Sequence, residues 1–453
     1  MYASKHSIVH KNIHKVIIGL SLPGMVSSVM QTLYQLVDAY WVGKLGAGAL
    51  AAIGGSSFIL WAVYSLTALS SNGISALVAQ NIGARDESSA RSVAAQGMLV
   101  STISAIVLGV MVYLGQGLLY RIMGFDTQVT EMAYQYMSII LLGIVFSFWF
   151  TGLEAVFRGI GDTHTPMIII ALALTLNAIL DPVFIFGWFG LPAMGIAGAA
   201  WASVLAQLLA MLLASYFLYR KQFLPVFETE NSSHLHFKII TRILNIGAPV
   251  GFGGFFFSII YVGLTAIIAE FGTEAIAAIG VCHRIEGIAW FACVGFAAAA
   301  STLVGQFVGA GKIKKAEHAA LWVNGYGGLT LLIISAIFYF FPAELMSIFT
   351  TEIAVQSIGV EYFKIIALFE IFLAFEVIME DAFSGAGYTL PVMLVTVPIT
   401  AARIPLAWYL AIYLEMGSNG IWWAIAITTF LKGILNVLLF KRGIWLKKIH
   451  AAV

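Results

Sequence analysis

Charge is what this sequence lacks. Only 10% of its 453 residues are Asp, Glu, Lys or Arg, and 60% are hydrophobic; a soluble chain carries about 25% charge. So few charges cannot clothe a water-exposed surface, and the chain reads as an integral membrane protein. A net charge of +1 leaves no basic surface for nucleic acid. Cysteine is nearly absent too. Cys282 and Cys293 both lie in apolar sequence and form neither a disulfide framework nor a zinc pattern. No phosphate-cradling glycine loop, nucleophile–base pair or metalloprotease motif occurs. These absences exclude an ATP-driven pump and argue against an enzyme, and they call for no cofactor.

What is present is apolar length. A span needs about 20 mostly apolar residues, and twelve such windows occur. The first covers 16–43, the tenth 358–380 and the last 419–440. With both termini in the cytosol, the inside segments hold 17 of the 23 Lys and Arg residues, and the outside loops hold only Lys44 and Arg121. The polar, basic start "MYASKHSIVHKNIHK" reads as a retained cytosolic segment, not a signal peptide. The expected location is the plasma or bacterial inner membrane.

The chain also repeats itself. At a shift of 226, "ALVAQNIGA" (76–84) falls on "TLVGQFVGA" (302–310), and "EAVFRGIGDT" (154–163) on "EDAFSGAGYT" (380–389). Near the end the shift slips to 222, where "GAAWA" (198–202) meets "GIWWA" (420–424). The expected organisation is an N-lobe 1–219, a cytosolic linker 220–243 and a C-lobe 244–453. Six spans per copy give both copies one orientation, so the lobes are related by a pseudo-two-fold axis along the membrane normal. This is a transporter arrangement with substrate held between halves.

Where the halves differ is informative. Asp38, in "YQLVDAYWVG", is the only acid between Val16 and Gly43, and its counterpart is Leu264. Asp181, in "LTLNAILDPVFIFG", corresponds to Ile404 or Leu406. Both aspartates sit six residues before a span's outer end, roughly 9 Å deep. Asn177 lies one turn from Asp181, while Tyr34 and Gln31 lie one and two turns from Asp38. An ionised group in hydrocarbon costs about 2.5–3.5 kcal/mol on insertion scales. Two acids at one depth with no cation nearby make poor structural glue, and a shared cation or proton site explains them better.

Together, "YQLVDAYWVG", "LVAQNIGA", "FRGIGDTHTP" and "LNAILDPVF" resemble the multidrug and toxic compound extrusion (MATE) family, most closely its DNA-damage-inducible F-type and archaeal branch. The resemblance implies an all-α protein of twelve transmembrane helices in two six-helix lobes. It implies that Asp38, Asp181 and Asn177 bind the coupling ion, either H⁺ or Na⁺. Ser203 matches the family's small hydroxyl residue, and Gln31 and Tyr34 match cavity positions. Glu154 adds an acid near that cavity, while Phe257 stands where another branch has a glutamate. The implied activity is antiport: export of amphipathic, cationic organic compounds in exchange for inward H⁺ or Na⁺, by a monomer among membrane lipids. The alternative is a flippase for lipid-linked glycans, which calls for arginines along the cleft.

The second half has its own polar cluster, "CHRIEG" at 282–287. His283 and Glu286 are three apart and within reach of each other. They read either as a structural ion pair with Arg284, Arg403 or Lys364, or as a second coupling or substrate site. Glu370, Glu376, Glu380 and Asp381 stay open as well, with Glu380 equivalent to Glu154.

Overall fold

The computed structural model describes residues 8–223 and 235–446; within them all regular structure is helical. The middle of the expected linker, 224–234, lies outside the described residues. The first half forms α1 (Ile13–Gly43), α2 (Ala47–Ser65), α3 (Ala68–Gly83), α4 (Glu87–Ile122), α5 (Thr127–Ile160), α6 (His164–Phe186) and α7 (Ile196–Arg220). The second forms α8 (Phe237–Ala269), α9 (Thr273–Gly309), α10 (Ile313–Phe340), α11 (Pro342–Phe349), α12 (Ile353–Ile366), α13 (Glu370–Ala386), α14 (Leu390–Trp408) and α15 (Ser418–Lys441).

Among the described residues, eleven crossings are long and apolar enough to span a membrane, with α2 and α3 counting as one. The tenth expected span departs from a simple rod. It divides at 367–369 into α12 and α13, of 14 and 17 residues. The acids Glu370, Glu376, Glu380 and Asp381 all sit on the second piece. Large apolar side chains such as Leu114, Ile122 and Phe340 are 70–78% exposed. A water-soluble surface does not tolerate such residues in numbers, but hydrocarbon does.

The chain divides into two compact units, one of residues 26–251 and one of 8–25 with Phe252 onward. Each is organised around one helix. In the first, α5 packs on α2, α3, α4 and α7; in the second, α13 packs on α9, α10 and α15. The repeat of 226 is visible in detail. Gly159 of α5 lets the helix lie against Ser75 and Val78 of α3, and Gly385 of α13 lies on the backbone of Ser301 of α9. Both hub helices then end on a left-handed glycine, Gly161 (φ 86°) and Gly387 (φ 81°).

Between α5 and α6, Asp162 accepts hydrogen bonds from Thr165 N (3.0 Å) and Thr165 Oγ1 (2.6 Å), and pairs with Lys221 just beyond α7. Burial alone would raise the Asp162 carboxyl. The bonds from Lys221 and Thr165 outweigh it and hold the group below its ordinary value.

Candidate functional site

Helix α6 carries Asn177 and Asp181 on one face, both wholly buried. Pro182, next in the helix, has no N–H to give, so the carbonyl of Ala178 loses its usual partner beside the acid. The amide of Asn177 has two readings. In one, Nδ2 donates to Asp181 Oδ2 (3.1 Å) and Oδ1 accepts from Ser203 N (3.1 Å). Turned over, Nδ2 reaches Ser203 Oγ at 3.4 Å and the oxygen faces the acid. The first satisfies an ionised carboxylate; the second suits a protonated or cation-loaded one.

Ser203, in α7, is buried, and its hydroxyl lies 2.7 Å from Tyr34 Oη on α1. One turn beyond Tyr34 is Asp38, half-buried, with Oδ1 shielded and without a hydrogen-bond partner. Asp181 Oδ1 is likewise unpartnered. The charge of Asp38 acts on Asp181, and both act on the phenols of Tyr34 and Tyr136. Asp181, Asn177, Ser203 and Tyr34 therefore form one hydrogen-bonded set in the first unit, with Asp38 one turn from Tyr34 and within electrostatic reach of Asp181. Tyr136 of α5, buried beside them, is the residue that the sequence reading missed. Nothing sets it apart from its neighbours in "MAYQYMSII" except a register that only the packed helix shows.

Two expected cavity residues stand apart. Gln31 is exposed, two turns before Asp38. Glu154 is half-buried on α5, six residues before that helix ends, whereas Asp181 is seventeen residues into α6. The two helices are joined by a short turn, so Glu154 lies about 9 Å and Asp181 about 25 Å from it along the helix axes. The structure does not bring Glu154 to the acid pair.

In the second unit, His283 and Glu286 do not pair. Glu286 Oε2 accepts from Tyr362 Oη at 2.5 Å, and the exposed His283 ring stands 5.7 Å from that of Tyr261. Nor does Glu286 bridge to Arg284, Arg403 or Lys364, the ion pair that was one of the two readings of this cluster. Arg403 donates to Thr428 (2.9 Å), Tyr261 (2.8 Å) and Thr429 (3.2 Å), and Lys364 pairs with Glu361 at 3.8 Å. A buried ion pair of this unit is Lys432–Glu376, at 2.5 Å. Among the described residues no group of three or more His, Cys, Asp and Glu side chains is placed to hold a metal ion.

Comparison with known proteins fits this geometry. The MatE family model matches residues 23–183 and again 249–409, two stretches that begin 226 residues apart (249 − 23). A probable multidrug resistance protein NorM of Thermotoga maritima is 30% identical over 443 residues, which cover 96% of this chain and 94% of that protein. A probable multidrug resistance protein YoeA of Bacillus subtilis is 24% identical, with 94% and 93% covered. Among solved structures, a MATE protein in a bent conformation superposes with a TM-score of 0.90 at 26% identity, covering 97% of both chains. Its straight conformation gives 0.88, covering 98% of this chain and 97% of that one. A transporter of the MOP superfamily from Pyrococcus furiosus, described as having a binding pocket of reverse polarity that suggests a different function, gives 0.89 at 25% identity, with 98% and 97% covered.

Proposed function

Because the chain belongs to the MatE family of multi-pass membrane transporters, we propose that it exports small organic compounds in exchange for an inward coupling ion, H⁺ or Na⁺. The observation that carries this reading is the pair of aspartates, Asp38 and Asp181, each with a shielded and unpartnered oxygen, in one half only of a duplicated scaffold. Two carboxylates in a low dielectric do not both stay ionised alone; they take up a proton or hold a cation. The relatives named as multidrug resistance proteins support drug-like substrates. Amphipathic organic cations suit a site that offers Tyr34 and acidic charge. Na⁺ would find oxygens on Asp38, Asp181, the turned-over Asn177 amide and Ser203; H⁺ needs only the acids.

Loading would remove the repulsion between the two aspartates, draw α1 towards α6 and reshape the space beside Tyr34, so that bound substrate leaves. The lobes 1–219 and 244–453 carry out this cycle as a monomer in the plasma or inner membrane, with linker 220–243 and both termini cytosolic. A glycan-lipid flippase is the weaker reading. Its anionic headgroup needs free cations, whereas Arg403 and Lys432 are buried and already bonded. The test is dye transport in everted vesicles under a proton gradient and, separately, a sodium gradient. Transport under neither gradient would overturn the antiport reading, and the gradient that drives it identifies the ion.

A further inference from the structure

The repeat slips from a shift of 226 to one of 222 in the loop between α6 and α7. At the end of α6, Met194 N donates to Phe184 O (2.9 Å) and Gly195 N to Ile185 O (3.1 Å). In the second half, Met416 N donates to Leu410 O and Gly417 N to Ala411 O, both at 3.2 Å. Phe184 and Ile185 match Leu410 and Ala411 at 226, whereas Met194 and Gly195 match Met416 and Gly417 at 222. The close approach beyond the loop is shared too. A Cβ at Gly198 would meet the backbone of Phe184, and one at Gly420 that of Leu410 and Ala411. The same closure thus takes eight residues, 186–193, in the first half and only four, 412–415, in the second.

The longer loop is built unlike a turn in water. "FGWFGLPA" carries no charge and no hydroxyl or amide side chain, and from Pro182 to Tyr219 there is no Asp, Glu, Lys, Arg or His. The shorter turn carries Glu415. Phe189 is 90% exposed, Trp188 48% and Leu191 45%. Phe189 also takes φ 60°, ψ 24°, a left-handed conformation that a Cβ disfavours. A strained backbone that holds a phenylalanine almost wholly outside the fold adds nothing to the core. Contiguous apolar exposure of this kind marks a surface that something else covers.

Continuity says what covers it. Along α6, the exposed apolar residues Ile168, Leu172 and Ile179 lie at helical spacing on the face turned to lipid, and Trp201 is exposed in the second turn of α7. The loop prolongs this surface. Trp188 meets Trp41 of α1 edge-on at 6.1 Å, and the Lys44 ammonium stands 4.5 Å from the rings of Tyr40 and Trp41. Indoles, a phenol and a lysine gathered at one level suit the boundary between membrane and water. The backbone sets the depth. Irregular chain exposed to lipid is not tolerated within the hydrocarbon, so the rings enter while the backbone stays among the headgroups.

We propose that residues 186–193 are an interfacial anchor: Trp188, Phe189 and Leu191 insert at the boundary between phospholipid headgroups and acyl chains, fixing the end of α6 nearer Asp181. With no charge of its own, the loop recognises the apolar boundary and not a particular headgroup. This goes beyond the exchange proposed above and stands whether or not that exchange is correct.

The test places a nitroxide on Phe189→Cys, in a chain whose two native cysteines are removed by Cys282→Ala and Cys293→Ala, reconstituted in phosphatidylcholine vesicles. Collisions with oxygen, which concentrates in the bilayer, exceed those with a water-soluble nickel chelate. A nickel-dominated signal at 189, the pattern of a loop in water, overturns the anchor. Spin–spin broadening that vanishes on dilution with unlabelled protein overturns it in favour of a contact between two copies. A requirement for anionic phosphatidylglycerol overturns it in favour of headgroup recognition. Should the labelled chain fail to insert, the fluorescence lost in Trp188→Phe decides. Quenching of that component by phosphatidylcholine brominated on its acyl chains supports the anchor, and quenching by aqueous acrylamide alone overturns it.

Discussion

Lys432 Nζ lies 2.5 Å from Glu376 Oε1, with both side chains more than nine-tenths buried. Such a pair is an expensive way to join two helices, since removing two charges from water costs several kcal/mol each before attraction repays it. Its removal is therefore asymmetric. Lys432→Met or Glu376→Gln alone strands a buried charge and destabilises by about 3–5 kcal/mol. The double change to Met and Leu costs far less, because the equivalent helix pair in the first unit closes without charges. Thermal unfolding of the purified variants measures this, and a double mutant as unstable as the singles would contradict it.

The two hub helices make a matching prediction from packing. A Cβ at Gly159 or Gly385 meets neighbouring atoms of α3 or α9, backbone among them, which cannot swing aside as a side-chain tip does. Gly159→Val and Gly385→Val each force a helix pair apart and destabilise by roughly 1–3 kcal/mol, as overpacking does. Gly253, whose Cβ would point into open space, is the control: Gly253→Ala leaves the unfolding midpoint within about 0.5 kcal/mol of the parent.

How much of this was legible in the sequence depended on whether a signal stood alone. Asp38 and Asp181 were legible because each interrupts an apolar run with nothing nearby to neutralise it, and Asn177 followed from helical spacing. The repeat exposed the asymmetry between halves. Lys432–Glu376 was not legible: the partners are 56 residues apart, and their pairing depends on how α13 and α15 lie together. His283 and Glu286 misled for the converse reason. Spacing lets side chains three apart meet, but Tyr362 from α12 took the carboxylate first. The division of the tenth span at 367–369 was hidden because apolar residues fill both sides of it.

Asp162 carries a pH prediction. Its carboxyl is held below its ordinary value by Lys221 and Thr165, against burial. A depressed acid stabilises the folded state above its unfolded value, about pH 3.9, and loses that contribution as pH falls through the lower folded value. Asp162→Asn should therefore lower the unfolding midpoint by an amount worth about 1 kcal/mol and constant at neutral pH. The gap to the parent should narrow only in acid, below about pH 4. A gap that narrows on the alkaline side instead would show that the carboxylate is not the group responsible.

The orientation expected for the chain is tested by reporters. With both termini cytosolic, a fusion after Val453 reports the cytosol and an insertion at Gly46–Gly48 reports the opposite face. Agreement between the two would require an even number of crossings between them, whereas the ten apolar helices described after Lys44 give an odd number, eleven, once α12 and α13 together count as one crossing. A same-side result would thus place the error at α12–α13.

Asp38 and Asp181 make the sharpest test of the proposed exchange. The charge of one acts on the other, so their titrations are coupled and belong to the pair. Asn177 adds a constraint, since its amide lies between Asp181 and Ser203 and can donate to Asp181 Oδ2 (3.1 Å). Asp38→Asn and Asp181→Asn each leave one acid, which no longer needs a cation to relieve repulsion, and gradient-driven export should be lost at normal expression and insertion. The double mutant should be no worse than either single, because the pair acts as a unit. Asn177→Leu cannot make either hydrogen bond and should behave like the aspartate variants, whereas Leu264→Asn, the symmetry-related change in the second half, should leave coupling nearly intact. Dye efflux in everted vesicles measures all five. Robust gradient-driven efflux by Asp38→Asn would remove the pair from the mechanism, even if Asp181→Asn were inactive.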